Sequence, residues 1–540
     1  MEKSLRVLVL SAFFGAVLTL LFFLPLLSHM STHLSSREDG VLIAYLIHWV
    51  SSALLHHQNI FQVPFFYPYK NTLAYSDPFL STALLNIPIL FLTQNIVLAN
   101  NVHLLLGTCF LFVGTALLSY ELTDSLTAAF FTAITFTFSF FHFEQAVHLQ
   151  TYLFAGVPFC IYFFLRWVRE PRNIFLVAAA LSFLYQALNS PMTGYFLVFM
   201  MAPFLLQKNV RQRLLQNKIF VAVVTCITVT IGLWFYWPYV QVSKEFNYVR
   251  PFRDTAHFAQ SLNIFFHPQI IILFALLLIF WIFRKPHQKR NIPIITMILI
   301  GAVCMLGPVL KFNDQTIKIF QLPIPLPYFL AYYVVPGFKA FRDSGRWLIV
   351  FGFGLSLLLG MMIARSSISK KIQVLLLLLL TMYLWISQVP SMHLYEIPIQ
   401  VPDVYSLVKN APQEIIAELP VYSWRMTPYN SIENDRLLYQ IFHGKMLHNG
   451  VSGFTPPQRE KDWDWLWSNF PNPDSLAFFK QQHVQLLVVH FDEYQKQFDV
   501  HYAYNQRPAI DPKILKQELD TSPQLHQIGC RQSSCVYTLQ

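Results

Sequence analysis

Residues 35–50 read SSREDGVLIAYLIHWV. They follow an apolar run over residues 5–27 and place two adjacent carboxylates, Glu38 and Asp39, where the chain leaves that run. An ionised carboxylate at mid-bilayer costs about 2.5–3.5 kcal/mol, so the pair marks a loop just outside a membrane span. The apolar run is too long for a signal-peptide core and no small-residue cleavage site follows it, which reads as a retained signal anchor. Everything else in the sequence is read outward from this span and its acidic exit.

Of the 540 residues, 55% are hydrophobic and only 12% charged, and the mean hydropathy is +0.44. That is more apolar surface than one water-soluble core can hide, so the chain reads as an α-helical polytopic membrane protein. The formal charge of +10 suggests nucleic acid until it is divided. Residues 1–389 hold 26 Lys and Arg against 12 Asp and Glu, whereas residues 390–540 hold 12 against 16. Sixteen of the 26 fall in short loops or ends assigned to one side, around Lys3, Arg166, Lys208, Lys285 and Lys370. This is the positive-inside pattern, which makes those ends cytoplasmic and leaves no nucleic-acid partner to invoke.

Apolar runs with basic inner ends give about 11 spans, over residues 5–27, 100–119, 126–142, 148–165, 174–188, 191–206, 219–238, 269–283, 292–309, 346–364 and 372–388. An odd number puts the N-terminus inside and the tail outside. One further apolar helix, 79–93, breaks this parity if it spans, and Pro78 and Pro88 suit a re-entrant or interfacial helix instead. The organisation read from the sequence is thus a transmembrane domain, 1–389, with a long first outer loop, 28–78, and an extracytoplasmic α/β domain, 390–540. Residues 41–57 of that loop suit a helix lying on the membrane surface. In the tail, Cys530 and Cys535 suit a short-loop disulfide if that side is oxidising.

Several groups on the outer side could carry chemistry. Asp39, with Glu38 beside it, can accept a proton from a hydroxyl or amine or bind a divalent cation; it can equally sit at the start of a helix and favour the N-terminal dipole. The segment PFFYPYKNTLAYSDPF, 64–79, offers Tyr67, Tyr69, Tyr75, Lys70 and Asp77, either as an interfacial aromatic belt or as the wall of a groove for lipid and sugar. His142, Glu144 and His148 are spaced so that they could hold a metal or face an acceptor, or could be plain interfacial residues. Arg250, Arg253, Arg342 and Arg346 lie where the positive-inside rule would not put them, and guanidinium forks bind phosphate oxygens. The other reading of Arg342 and Arg346 is a local pair with Asp343 and a snorkelling helix start. Neither a Walker A nor a dinucleotide glycine pattern is present in the sequence, which disfavours an energy-coupled pump.

Taken together, these features resemble the GT-C superfamily of membrane glycosyltransferases, which includes oligosaccharyltransferases, protein O-mannosyltransferases and lipid A aminoarabinose transferases. The resemblance rests on a first span, a long outer loop opening on an acidic pair, many spans and an outer C-terminal domain. It is carried in detail by FFYPYKNTLAYSDPF, AVHLQTYLF, PGFKAFRDSGRW, ELPVYSW, HNGVSGFTPP and VQLLVVH. It implies Asp39 as the catalytic base or metal-associated acid with Glu38 as its neighbour, and only Glu144 stands where a second outer-loop acid is usual. It further implies a polyprenyl-phosphate-sugar donor, an extracytoplasmic acceptor that is a lipid, glycan or protein, a hexosyl or pentosyl transfer with inversion, and a bacterial inner-membrane location. No cofactor is fixed by the sequence beyond a candidate divalent cation. Two other classes stay open: a transporter or flippase of lipid-linked sugars, and a non-catalytic partner in envelope polysaccharide assembly.

Overall fold

Helices that are apolar on every side must be surrounded by lipid or by other helices, and this chain is built mainly of them. The computed structural model describes residues 2–284, 292–423, 426 and 430–540. The expected basic residues Lys285, Lys289 and Arg290, and Trp424 of ELPVYSW, lie outside the described residues. The membrane half runs through α1 (Glu2–Phe22), α2 (Asp39–Leu55), α3 (Leu80–Thr93), α4 (Ile96–Thr123), α5 (Leu126–Thr137), α6 (Gly156–Arg169), α7 (Asn173–Asn189) and α8 (Pro191–Leu205). It continues through α9 (Lys218–Phe235), α10 (Pro268–Ile282), α11 (Ile292–Met305), α12 (Pro327–Val334), α13 (Leu348–Ala364) and α14 (Lys370–Gln388).

Among the described residues six helices are long and apolar enough to cross a membrane, or up to eight if two bent pairs each form one span. Every run read as a span falls on an apolar helix, but several helices are shorter than about 20 residues. Local chemistry explains the shortening: Pro191 starts α8 directly after α7, and Pro268 starts α10 after a 51° bend. The central helix is α13, almost wholly buried; its Gly352 lies against the Phe141 ring, where a side chain would not fit. By contrast α9 is exposed along most of its length, with Leu233 and Trp234 bare, as a lipid-facing helix must be.

The surface helix expected over residues 41–57 is instead a buried one. Eleven residues of α2 are buried, because a helix with Val41, Leu42, Ile43, Leu46 and Ile47 on all faces cannot lie half in water. It packs on α3, α4 and a helix of the C-terminal region, α15 (Asn430–His443).

Two short hairpins follow α11: β1 (Lys311–Phe312) with β2 (Gln315–Thr316), and β3 (Lys318–Ile319) with β4 (Leu322–Pro323). After α14 the chain builds a five-stranded sheet from β5 (Ile415–Leu419), β6 (Met446–Leu447), β7 (Leu486–His490), β8 (Leu525–Arg531) and β9 (Ser534–Leu539), in the order β8-β9-β7-β5-β6. All five residues of β7, LLVVH, are buried, as befits a central strand covered on both faces. Strands β6, β5 and β7 are parallel, and β9 and β8 close the other side antiparallel. The β8–β9 hairpin carries the Cys530–Cys535 disulfide across a directly paired position.

This sheet is joined to the first long loop through backbone hydrogen bonds. Leu447 N–H donates to Pro64 C=O (3.0 Å), Tyr67 N–H to Leu447 C=O (2.9 Å) and Phe66 N–H to Asn449 C=O (2.8 Å). The Arg37–Asp435 ion pair at 2.7 Å and the Tyr45 hydroxyl on Gln440 at 2.9 Å add side-chain contacts. The first loop and the C-terminal region therefore lie on the same side of the helices.

Candidate functional site

Asp39 is the first residue of α2, preceded by Glu38 in a non-helical conformation. Neither the Glu38 nor the Asp39 side chain caps the helix: Glu38 gives no side-chain cap, and the Asp39 carboxylate turns to His148, with Oδ2 3.2 Å from Nε2. His148 is fixed at the break between the 3-10 turn Glu144–Val147 and the short helix Leu149–Tyr152; its N–H donates to Gln145 C=O and its C=O accepts from Thr151 and Tyr152. The Asp39 side chain is 48% exposed, so the pair opens to water. Surrounding protein alone would push the Asp39 carboxyl up, but the His148 hydrogen bond and the charges of His148, Arg346 and Arg342 outweigh it and hold the carboxyl below its usual range. Asp39 is therefore ionised at neutral pH.

The charges of Arg342 and Arg346 act on this carboxylate from the segment FRDSGRW, which is fixed at several points. Trp347 is fully buried against Phe196, Phe199 and Phe338, and the Ser344 hydroxyl donates to Thr255 C=O at 3.1 Å. Arg346 Nε lies 3.3 Å from Asp343 Oδ2, and its Nη1 faces the Met192 sulfur at 3.8 Å. Arg342 is exposed and stacks on the Phe258 ring at 4.6 Å. Arg250 stacks on Tyr248 at 4.9 Å and donates to Gly453 C=O at 2.5 Å. Burial depresses the Arg250 pKa, the Tyr248 side chain opposes that, and the nearby Arg342 charge adds to it; an incoming anion would relieve the crowding of the two cations. Arg253 is exposed in the turn Phe252–His257, and no contact among the described residues joins it to this group.

Asp77 belongs to the same site. Its turn is held by the Tyr239 hydroxyl on Ser76 C=O (2.8 Å) and by Phe79 N–H on Asn189 C=O (3.2 Å). Burial raises the Asp77 pKa; Ser190 and Arg346 oppose that, and the Asp39 charge adds to it. The two carboxyls thus share Arg346 and are pushed in opposite directions, Asp39 toward the ionised form and Asp77 toward the protonated one.

The remaining residues singled out in the sequence lie elsewhere. Tyr75 is buried against Phe66, Phe246 and Phe454, so it belongs to the packed seam with the C-terminal region and not to an open groove. Tyr67 contributes its backbone C=O to the buried Arg459 (2.6 Å), Tyr69 lies under the same guanidinium at 5.2 Å, and Lys70 is exposed. His142 is fully buried, its Nδ1 and Nε2 facing the C=O of Thr137 (3.0 Å) and Tyr152 (2.8 Å), while Glu144 is exposed. The spacing that suggested a metal triad places His142 in the packing, because an imidazole in an apolar interior must satisfy both nitrogens locally. Among the described residues no group of three or more His, Cys, Asp or Glu comes together as a metal cluster.

Sequence reasoning missed Ser190, Tyr248 and Gly453. The first had a visible signal: Ser190 followed by Pro191 marks a helix start.

No family model and no curated protein sequence matches this chain. Among solved structures, the arabinofuranosyltransferase AftD from Mycobacteria is similar over 99% of this chain, with a TM-score of 0.59 and 13% identity. This chain spans 40% of AftD's length. ArnT from Cupriavidus metallidurans, in a structure bound to undecaprenyl phosphate, is similar over 97% of both chains, with a TM-score of 0.51 and 11% identity. At such identities the likeness is one of fold, and it extends through the helices and the C-terminal sheet alike. The chain is a membrane-embedded protein with the fold shared by AftD and ArnT.

Proposed function

We propose that this chain is a membrane glycosyltransferase moving a hexosyl or pentosyl group from a polyprenyl-phosphate donor to an extracytoplasmic acceptor. The observation that carries the reading is one water-accessible site in which an ionised Asp39 lies within the field of two arginines. A general base needs an ionised, reachable carboxylate, and a phosphate leaving group needs fixed cations.

In the proposed reaction Asp39 takes the proton of the acceptor hydroxyl or amine as that atom bonds to the anomeric carbon. The bond from the anomeric carbon to the phosphate oxygen breaks, its electron pair stays with the phosphate, and Arg342 and Arg346 stabilise the growing charge. His148 orients Asp39. A single displacement inverts the anomeric centre. No step is routed through a cation.

The Lys and Arg distribution supports a cytoplasmic N-terminus, about 11 spans with α3 as a short re-entrant or interfacial helix, and an extracytoplasmic domain over 390–540; residence in a bacterial inner membrane is what the resemblance to the GT-C superfamily implies. The test is release of polyprenyl phosphate. The purified protein in nanodiscs would be supplied with lipid-linked sugars extracted from a strain lacking the gene, whose accumulating donor is identified by mass spectrometry. Release that needs the protein and fails with Asp39→Asn supports the proposal; no accumulating donor and no release by the parent protein would sink it.

A further inference from the structure

The two hairpins after α11 have the same geometry and opposite chemistry. Both turn through two left-handed residues, Asn313 and Asp314 (φ 47° and 59°) in the first, Phe320 and Gln321 (φ 49° and 66°) in the second. Asn and Asp tolerate that conformation, whereas a bulky residue there is strained. The first tip also folds back on its own protein: Asn313 N–H donates to Asn263 Oδ1 at 2.7 Å and Asp314 N–H to Ser261 Oγ at 3.4 Å. The second tip projects, with Phe320 95% exposed and Ile319 and Leu322 bare beside it. A strained Phe, exposed in full, is doubly unfavourable in water.

The projection is not a loose end. Leu310 N–H donates to Ile324 C=O, Ile317 N–H to Leu310 C=O and Leu326 N–H to Pro308 C=O, tying both hairpins into one flap. The buried Lys311 anchors its base through the C=O groups of His257 (2.8 Å) and Ala259 (2.9 Å). The flap is continuous with surface that already faces lipid. It begins just after α11, whose Leu299 is exposed, and leads into α12, where Leu330 and Val334 are exposed. Lys318 on the flap is exposed and Lys339 lies over the Tyr333 ring of α12 at 5.6 Å, cations of the kind that anionic headgroups attract.

We infer that the tip Ile319-Phe320-Gln321-Leu322 is a membrane anchor, inserted into the interfacial region of the leaflet next to the end of α11. Its occupant is the lipid bilayer itself. The anchor would hold the flap and α12 against the membrane surface and so fix the level at which the adjoining segment 336–347, with Arg342 and Arg346, meets lipid-linked molecules.

The test is spin-label accessibility on the full chain in nanodiscs of phosphatidylethanolamine and phosphatidylglycerol at about 3:1. Phe320→Cys and Asn313→Cys would be labelled in a background in which Cys109 and Cys226, the free thiols that are not buried, are serine. Collision with oxygen should be several-fold higher at position 320 than at 313, and collision with a water-soluble nickel chelate several-fold lower. Equal nickel access at both positions would overturn the anchor, as would shielding of 320 from both reagents. Dipolar broadening at 320 that disappears when unlabelled protein is added would place the tip on a second copy and also overturn it. If Phe320→Cys does not insert, Leu322→Cys on the same tip gives the same reading.

Discussion

Two clusters of charge in this molecule look alike in a census of perturbed groups and differ in what surrounds them. Around Asp39 the carboxylate is half exposed, and Arg342 and Arg346 reach it through space. In the C-terminal region Arg436 is buried between carboxylates: Glu433 at 2.6 Å, Glu493 at 2.8 Å and Glu418 at 3.5 Å. Glu418 also accepts from the Tyr405 hydroxyl at 2.6 Å and lies 2.9 Å from His490 Nε2, and burial raises Glu433 to about 7 even against Arg436. The second cluster is the more perturbed, yet its charges face each other. In the first, Asp39 is half exposed and Arg342 exposed, so the group opens to water. Access marks a site better than the size of a pKa shift.

The largest expected effect is on the first cluster. Asp39→Asn should lower the rate of polyprenyl phosphate release by about 10²- to 10⁴-fold, the range for a positioned general base. Thermal stability in detergent should stay close to parental, since Asp39 makes no helix-capping bond. A variant that keeps near-parental turnover would return Asp39 to a purely structural role.

Arg436→Met is the matching experiment on the second cluster, with the opposite signature. Removing one partner leaves buried carboxylates uncompensated, which costs about 3–5 kcal/mol of stability. Protein that still folds should retain the parental rate per folded molecule. Loss of turnover with unchanged melting would mean that the C-terminal cluster takes part in the chemistry.

Arg346→Gln should cost about 2–4 kcal/mol in transition-state stabilisation, read as kcat/KM for the lipid-linked donor. Lys at the same position should restore little if the contact is a bidentate one with phosphate. Full activity of the Arg342→Gln, Arg346→Gln double variant would remove both from the site.

These contrasts also show what could be read from the sequence. The apolar helices were legible because lipid demands long apolar runs, though only six to eight of them among the described residues are long enough to cross a membrane; Asp39 and FRDSGRW stood out because charge beside such runs needs a reason. Residues 41–57, read as a surface helix, were misplaced although their all-round apolar residues point to burial. Contacts between distant segments were not legible: Asp39 meets His148 from another loop, and Arg250 meets Gly453 across the C-terminal region. Nothing local in any of those segments names its partner. Tyr75 and His142 were misplaced for the same reason, since their composition fits a groove or metal site as well as a packed seam.

A smaller effect is expected from His148→Ala, and its sign follows from what holds Asp39 ionised. Activity requires the carboxylate, so the rate falls as pH drops through the Asp39 pKa, which His148 and the arginines keep below the usual range. Removing His148 leaves the surrounding protein, which pushes the carboxyl up. The acid limb of kcat/KM should therefore move to higher pH, with less change on the plateau above it. A limb that stays in place would show that the arginines alone keep Asp39 ionised.

The smallest effect belongs to Glu38, the immediate neighbour of Asp39. Successive residues at a helix start diverge by about 100°, so two adjacent carboxylates cannot both face one acceptor. Asp39 is the one that meets His148, while the exposed Glu38 gives the helix only its backbone C=O, accepting from Leu42 N–H at 3.2 Å. Glu38→Gln should change stability by no more than about 0.5 kcal/mol, as for an exposed position without a structural partner, and leave turnover within about two-fold of the parent. The comparison with Asp39→Asn is internal, because both substitutions remove one negative charge from the same turn. Equal losses from the two would mean that net charge near the helix start matters and the direction of the carboxylate does not; a loss confined to Asp39→Asn assigns the proton to the residue that faces His148.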